Sequence, residues 1–323
     1  MKKTLTKLYH FSGTWTGTVI IVLALIFFVA QSFVIPSGSM KRSLLIGDFL
    51  FVKKFSYGIT IPELPWVGLK ILPDFRGNGH LIDGDRPERE DIVVFYVPKD
   101  RKTHFVKRCV AVGGDEVIYY DKHLLIHMHE GDEWMKAHYP DVPTVKALGK
   151  RWLVNPYRSR YPGIQYEPEY DSNLFMQMLY RSDTPGAVDM RPVMIEGLKA
   201  PVYAIDGRPV NAFYRKIDPD HFYMIGDNRD NSEDSRFWGQ VPYSLIIGQP
   251  WVTYFSLEYR SYERVLNGVG GGRDHQALRQ VCRDVRLDSP ECEARWNRHR
   301  YSVRWRRIGR SVETLQREVP VDD

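Results

Sequence analysis

The hydropathy pattern separates one long apolar run from a series of short alternating segments. Residues Trp15 to Ile35 read WTGTVIIVLALIFFVAQSFVI and carry no charge. About 20 such residues cross a bilayer as a single helix, so a transmembrane anchor is predicted over 15–35, with 1–14 as an N-terminal flank that the resemblance described below implies is cytoplasmic. A cleaved leader has a shorter apolar stretch ending in small residues. This run ends in Phe33-Val34-Ile35-Pro36, which favours a retained anchor. Beyond it, DFLFVKKF (Asp48–Phe55), DIVVFYV (Asp91–Val97), HFVKRCVAV (His104–Val112) and EVIYY (Glu116–Tyr120) have the composition and length of strands. Gly113-Gly114-Asp115 marks a turn between the last two.

A second strand group follows. VYAIDGRPV (Val202–Val210) contains Asp206-Gly207, a hairpin signal, and HFYMIGD (His221–Asp227) and IIGQPWVTYFSL (Ile246–Leu257) continue it. Residues 121–199, rich in Tyr, Met, His and Pro, show weaker patterning and read as an inserted subdomain. No strong helical periodicity is evident before the tail, and NGVGGGR (Asn267–Arg273) reads as a flexible break. The predicted fold is therefore mainly β. Its β core comprises 36–120 and 200–257, and a basic, partly helical tail occupies 258–323.

Composition adds little to this picture: 43% hydrophobic and 26% charged residues are ordinary for a globular protein of 323 residues. Charge placement is more telling. Lys2, Lys3 and Lys7 precede the apolar run and Lys41, Arg42, Lys53 and Lys54 follow it, so positive-inside counting leaves orientation open. Ala294 to Arg310 hold seven arginines and no acid. The Arg- and Trp-containing RYSVRWRRIGR (Arg300–Arg310) suits either an anionic membrane interface or a solvated tail. No nucleic-acid-binding module accompanies it. The three cysteines show no CxxC, and HExxH is absent, so no metal site is expected. Cys282 and Cys292 either pair in an oxidising compartment or remain unrelated thiols; Cys109 reads as a buried small hydrophobe.

Three stretches offer chemistry. In IPSGSM, Pro36 fixes φ and Gly38 relaxes it, leaving Ser39 on a constrained turn. Alone, that describes many loops. A serine nucleophile needs a base, and no histidine lies in a recognisable nucleophile context. Lys107, flanked by Phe105, Val106, Cys109 and Val110, would lose ammonium hydration if buried, and its pKa would fall. A surface lysine is the plainer interpretation. Lys107 and Arg108 are adjacent in a predicted strand, so they face opposite sides, and one must point inward or be paired. The third stretch, GDNRDNSEDSRFWG (Gly226–Gly239), packs four acids, two arginines and two asparagines. It misses the EF-hand spacing and reads as a rigid loop that orients a neighbouring group.

Together, IPSGSM…LLIGDFLFVKKFSYG, DIVVF, FVKRCVAVGGDEV and GDNRDNSEDSRFWG after an apolar helix resemble bacterial type I signal peptidase, the Ser-Lys leader peptidase. The resemblance covers the helix end to Tyr120 and about Asp206 to Gly248. It implies Ser39 as nucleophile and Lys107 as general base, with the Ser37 hydroxyl and Ser39 N–H as oxyanion hole. It further implies Ser232 as the lysine-orienting serine and Asp227, Arg108, Asp234 and Arg236 as a supporting charged network. Phe33, Ile35, Met40, Leu44, Phe105 and Val106 are implied as substrate-binding residues. No metal or organic cofactor is implied. The expected partners are signal peptides of exported preproteins, cleaved after small residues of the Ala-X-Ala type, together with membrane lipid and proximity to the secretion translocon; nucleic acid is not expected. The expected location is the bacterial cytoplasmic membrane, single-pass, with the catalytic domain on the outer face. Where the family usually carries proline and threonine after the methionine, this chain has Lys41-Arg42-Ser43, so the turn lacks a proline's constraint. That departure keeps open a specialised relative, such as a pilin or conjugation peptidase. A catalytically inactive membrane-tethered binding protein of the same fold is the other alternative.

Overall fold

The computed structural model describes residues 10–24, 30–61, 72–100, 103–166, 174–267 and 272–318. The fold is mainly β, built on two sheets. The first runs β1 (Ala30–Val34), β2 (Asp48–Lys53), β17 (Ile246–Tyr259), β5 (Ile92–Tyr96), β6 (His104–Val112), β15 (His221–Ile225) and β16 (Val241–Pro242), with β18 (Tyr301–Val303) and β19 (Arg310–Ser311) added along β17. The second runs β11 (Arg191–Val193), β14 (Ala212–Lys216), β7 (Glu116–Tyr120), β8 (His123–His127), β10 (Lys150–Val154) and β9 (Thr144–Ala147). Two hairpins complete the set: β3 (Gly58–Thr60) with β4 (His80–Asp83), and β12 (Tyr203–Ile205) with β13 (Arg208–Val210). In the latter, Asp206 and Gly207 both have positive φ (49° and 75°), the two-residue turn their identity predicts.

The apolar run is not one helix. A helix, α1, covers Trp15–Ala24, but Ala30–Val34 form β1 and pair antiparallel with Lys53–Phe49 of β2. The prediction of a continuous helix over 15–35 is corrected at its C-terminal end. There the alternation of Gln31, Phe33 and Ile35 with Ser32 and Val34 suits a sheet edge, and the β2 hydrogen bonds replace those of a helix. Among the described residues no helix is long and apolar enough to cross a membrane.

Residues 121–199 supply β8 to β11 and two helices, α2 (Asp132–His138) and α3 (Leu174–Arg181). The periodicity of LFMQMLYR is amphipathic, burying Leu174, Phe175, Met178 and Leu179; eight residues are too few to announce a helix against their surroundings. The largest core lies under the second sheet. It gathers Val117, Tyr119, Ile126, Trp152, Phe175 and Phe213 with Val110 and Ile225 of the first sheet, so the two sheets share one interior. A separate core around Val93, Phe95, Cys109, Met224 and Val241 lies within the first sheet, with Cys109 fully buried.

After β17 comes a small helical unit: α5 (Tyr262–Leu266), α6 (Gly272–Val281) and α7 (Pro290–His299). Its core is Val265, Leu278, Trp296 and the Cys282–Cys292 disulfide. Ser289 caps α7, its Oγ accepting from Cys292 N, with Pro290 at the first helical position. A one-turn α4 (Ser235–Trp238) and a C-terminal α8 (Val312–Leu315) complete the elements used below. So small a core relies on its cross-link. Closing a ten-residue separation stabilises such a unit by about 2 to 3 kcal/mol in the chain-entropy account. Cys282→Ala/Cys292→Ala is therefore expected to unfold α5–α7 early, seen as loss of hydrogen-exchange protection in 262–299 while the two sheets keep theirs. Unchanged protection there would show that the cross-link adds nothing.

Candidate active site

The IPSGSM segment leaves β1 at Pro36 and enters a single 3-10 turn, Gly38–Met40. This turn points Met40 inward, where it packs with Ile35, Leu44, Leu50 and Ile92. It leaves Ser39 half-buried at the rim. Lys107, on the neighbouring β6, meets it: Lys107 Nζ lies 2.6 Å from Ser39 Oγ. The lysine is only 3% exposed. Burial pushes its ammonium down to about 8, while the Asp234 carboxylate pulls the other way. Ser37 Oγ is 3.4 Å from Ser39 Oγ, and Ser37 itself is exposed. Ser37, Ser39 and Lys107 thus converge as the sequence suggests.

Arg108 takes the opposite face of β6 and is also buried. It grips Asp227 with two parallel bonds, Nε to Oδ1 at 2.8 Å and Nη2 to Oδ2 at 2.7 Å, and stacks on Tyr161 at 4.0 Å. Burial by itself would raise the Asp227 carboxyl, but Arg108 holds it below its ordinary value. Asp234 and Arg236 form a second buried bidentate pair, at 2.8 and 2.7 Å. Asp234 also caps α4 and accepts from Gly226 N at 3.2 Å. These two pairs are the expected charged network, and both are assembled.

Two expectations need correction. Ser232 is buried beside Gly226, and against burial, which raises it, Arg236 and the Ser232 hydroxyl hold the Asp234 carboxyl low; among the described residues no hydrogen bond joins Ser232 to Lys107. Met40 and Leu44, expected to touch substrate, are 1% and 0% exposed. They form the layer beneath the site, with Met40 Sδ accepting from Asp227 N at 3.5 Å. Phe33, Phe105 and Val106 are only partly buried, and Ile35 lies just below the surface.

The sequence reading missed the groups that hold the nucleophile turn. Asn228 donates its backbone N–H to Ser39 O at 3.1 Å and its side-chain amide to Gly38 O at 3.2 Å. Ser43 donates to Asp227 Oδ2 at 2.5 Å. The Lys41-Arg42-Ser43 departure therefore leaves no loose turn. Arg42 adopts φ 78°, a conformation closed to proline, and Ser43 is locked to the charged network. The signal for Asn228 lay in its place one residue after Asp227, where a short amide readily bonds nearby backbone.

Elsewhere, Asp115, His129 and Glu130 converge, but the Arg89 guanidinium lies among them, bonded to both carboxylates at 2.6 to 2.9 Å.

Gly226 is where the loop touches the nucleophile turn most closely. A Cβ there would lie 2.3 Å from Ser232 Oγ and 2.5 Å from Ser39 O. Gly226→Ala is expected to displace Ser39 and lower about 100-fold the turnover of the substrate that the resemblance implies, with circular dichroism showing a retained fold. Wild-type turnover by that variant would refute the close approach.

The profile of the family described as Signal peptidase, peptidase S26, matches residues 8–255. A protein named Signal peptidase I from Helicobacter pylori (strain J99 / ATCC 700824) is 42% identical over 98% of this chain and 97% of its own length. That of Helicobacter pylori (strain ATCC 700392 / 26695) is 41% identical over the same shares. The Signal peptidase I of Aquifex aeolicus (strain VF5) is 31% identical over 73% of this chain and 81% of its own. The serine turn, the buried lysine and the acidic loop thus sit within a match spanning most of the sequence, and the chain belongs to the signal peptidase family of serine endopeptidases, peptidase S26.

Proposed function

We propose that this chain is a membrane-bound serine endopeptidase that removes N-terminal signal peptides from exported preproteins, with Ser39 as nucleophile and Lys107 as general base. The observation carrying this is the 2.6 Å approach of a buried, pKa-lowered amine to a serine hydroxyl. When Lys107 is neutral, the hydroxyl donates to its nitrogen. Ser39 Oγ then attacks the scissile carbonyl while Lys107 takes the proton. Lys107 returns that proton to the leaving amine as the peptide bond breaks, and next deprotonates the water that releases the acyl-enzyme. Ser37 Oγ and Ser39 N–H are assigned to the developing oxyanion.

Substrate binding is assigned to the β6 edge. Pairing of β6 with β15 ends at Arg108 and Ile225. Among the described residues, none pairs with His104–Lys107 on that side. An extended peptide added there would gain backbone bonds, with Phe33, Ile35, Phe105 and Val106 at the shallow pockets for small side chains.

The membrane assignment rests on the uncharged run 15–35 and on the outward face of β1, β2 and β17. There Val34, Phe51 and Trp251 are exposed, Tyr254 stacks on Phe51 and Lys53 sits over Trp251. Aromatic and cationic groups of this kind favour a headgroup interface. The Cys282–Cys292 disulfide supports an oxidising location, hence the outer face of the cytoplasmic membrane, where the translocon delivers its substrates.

Ser39→Ala and Lys107→Ala are each expected to lower kcat roughly 10⁴-fold or more in detergent assays of preprotein cleavage. Either one retaining full activity refutes the dyad. A penem electrophile should acylate Ser39 in the wild type and not in Lys107→Ala, by mass spectrometry; no acylation of the wild type would favour a binding protein. Because only neutral lysine accepts the proton, kcat/KM should rise with pH through an acid limb near pH 8. A limb near pH 6 would point to another base.

A further inference from the structure

The C-terminal segment 304–317 lies outside the 8–255 family match, yet it is built into the floor of the site. β19 pairs with β17, and Val312 of α8 joins the Ile35, Met40 and Leu44 cluster directly beneath Ser39. Arg307 binds Asp48 with two bonds, at 3.0 and 2.7 Å, and reaches Ser43 O at 3.2 Å. Asp48 in turn accepts from Leu45 N at 2.8 Å and Ser256 Oγ at 2.6 Å. Both ends of the 39–48 loop are thereby tied down, one by the tail and one by Asp227.

Gln316 makes the more direct link. Arg108 Nη1 donates to Gln316 Oε1 at 2.9 Å and to Glu90 O at 2.6 Å. The Gln316 amide nitrogen donates to Glu313 Oε2 at 2.6 Å. A cation on one side and a carboxylate on the other leave only one orientation for that amide. With the two bonds to Asp227, four of the five guanidinium N–H groups are then engaged in a site without solvent. Removing Gln316 strands one of them.

We infer that Gln316 is a positioning residue for the reaction: it fixes Arg108, which fixes Asp227, which accepts from Ser43 and directly precedes Asn228, whose N–H bonds Ser39 O. The tail is thus part of the catalytic scaffold. This rests on the Ser39–Lys107 assignment, and Ser39→Ala is run alongside to separate the two. Gln316→Met, nearly isosteric and without the acceptor, is expected to lower kcat about 10- to 100-fold with KM within twofold, assayed on the full chain in detergent well below its melting temperature. The swap Gln316→Glu/Glu313→Gln keeps an acceptor for Arg108 and a hydrogen bond between positions 316 and 313, and should recover most of the loss. Leu315→Ala, a buried neighbour on α8 with no polar link to the site, should lower the melting temperature and leave kcat near wild type. If Gln316→Met does not fold, Gln316→Asn, one methylene short of Arg108, carries the same comparison. Wild-type kcat in folded Gln316→Met or Gln316→Asn, with Ser39→Ala inactive, overturns the inference alone. So does a kcat loss that the Gln316→Glu/Glu313→Gln swap fails to recover. Activity in Ser39→Ala overturns the dyad instead.

Discussion

Adjacent residues of one strand, Lys107 and Arg108, carry amine and guanidinium groups into opposite sides of a sheet buried on both. Taking a cation out of water costs several kcal/mol unless something replaces the lost hydration. The two residues meet that cost differently. Arg108 finds Asp227, Gln316 and a backbone carbonyl, and stays charged. Among the described residues Lys107 has no carboxylate within ion-pair distance, and its stabilisation as an ammonium falls away. Asp234 is the nearest candidate to hold that charge, but Arg236 occupies both of its oxygens. The Asp234–Arg236 pair therefore matters for what it withholds: a free Asp234 would hold the Lys107 ammonium more strongly, and in the proposed mechanism a protonated lysine cannot take a proton from Ser39.

Much of this was legible in the chain. The strands at Ile92–Tyr96 and Glu116–Tyr120 were marked by apolar and β-branched runs, and His104–Val112 by such a run broken only at Lys107-Arg108. The Asp206-Gly207 turn was marked by chemistry that few other conformations tolerate. Residues 121–199 were harder because their helices are one to two turns long and their strands are polar at alternate positions. Their order comes from the core they share with the first sheet rather than from their own pattern. The end of the apolar run was misjudged for a related reason. Hydropathy reports the absence of charge and is blind to whether backbone bonds run along a helix or across to β2.

The charged network was read correctly as a set of residues, but its wiring was not. The sequence offers Asp227, Asp230 and Asp234 as equivalent acids, and nothing local says that Arg108, 119 positions away, will choose the first. The supports at Ser43, Asp48, Arg307 and Gln316 were invisible because each acts through a contact made only after folding. Ser43 even stood out as a departure. Once Arg42 takes a left-handed backbone, the loss of a proline is compensated by a buried hydroxyl-to-carboxylate bond, and rigidity comes from tertiary contact where the family usually draws it from a ring.

In the proposed binding mode, selection for small residues follows from how the floor of the site is filled. Met40, Leu44 and Ile35 pack with Val312 in one cluster next to Ser39, so in that mode a substrate side chain meets a filled surface. The same layer transmits force. A close-packed interior gives way little, so the tail, the acidic loop and the serine turn behave as one body although they lie more than 260 residues apart at their extremes. Depth of pocket and rigidity of nucleophile are then a single property of this packing. A change that deepens the pocket by shrinking Met40 or Leu44 loosens the turn on which Ser39 stands.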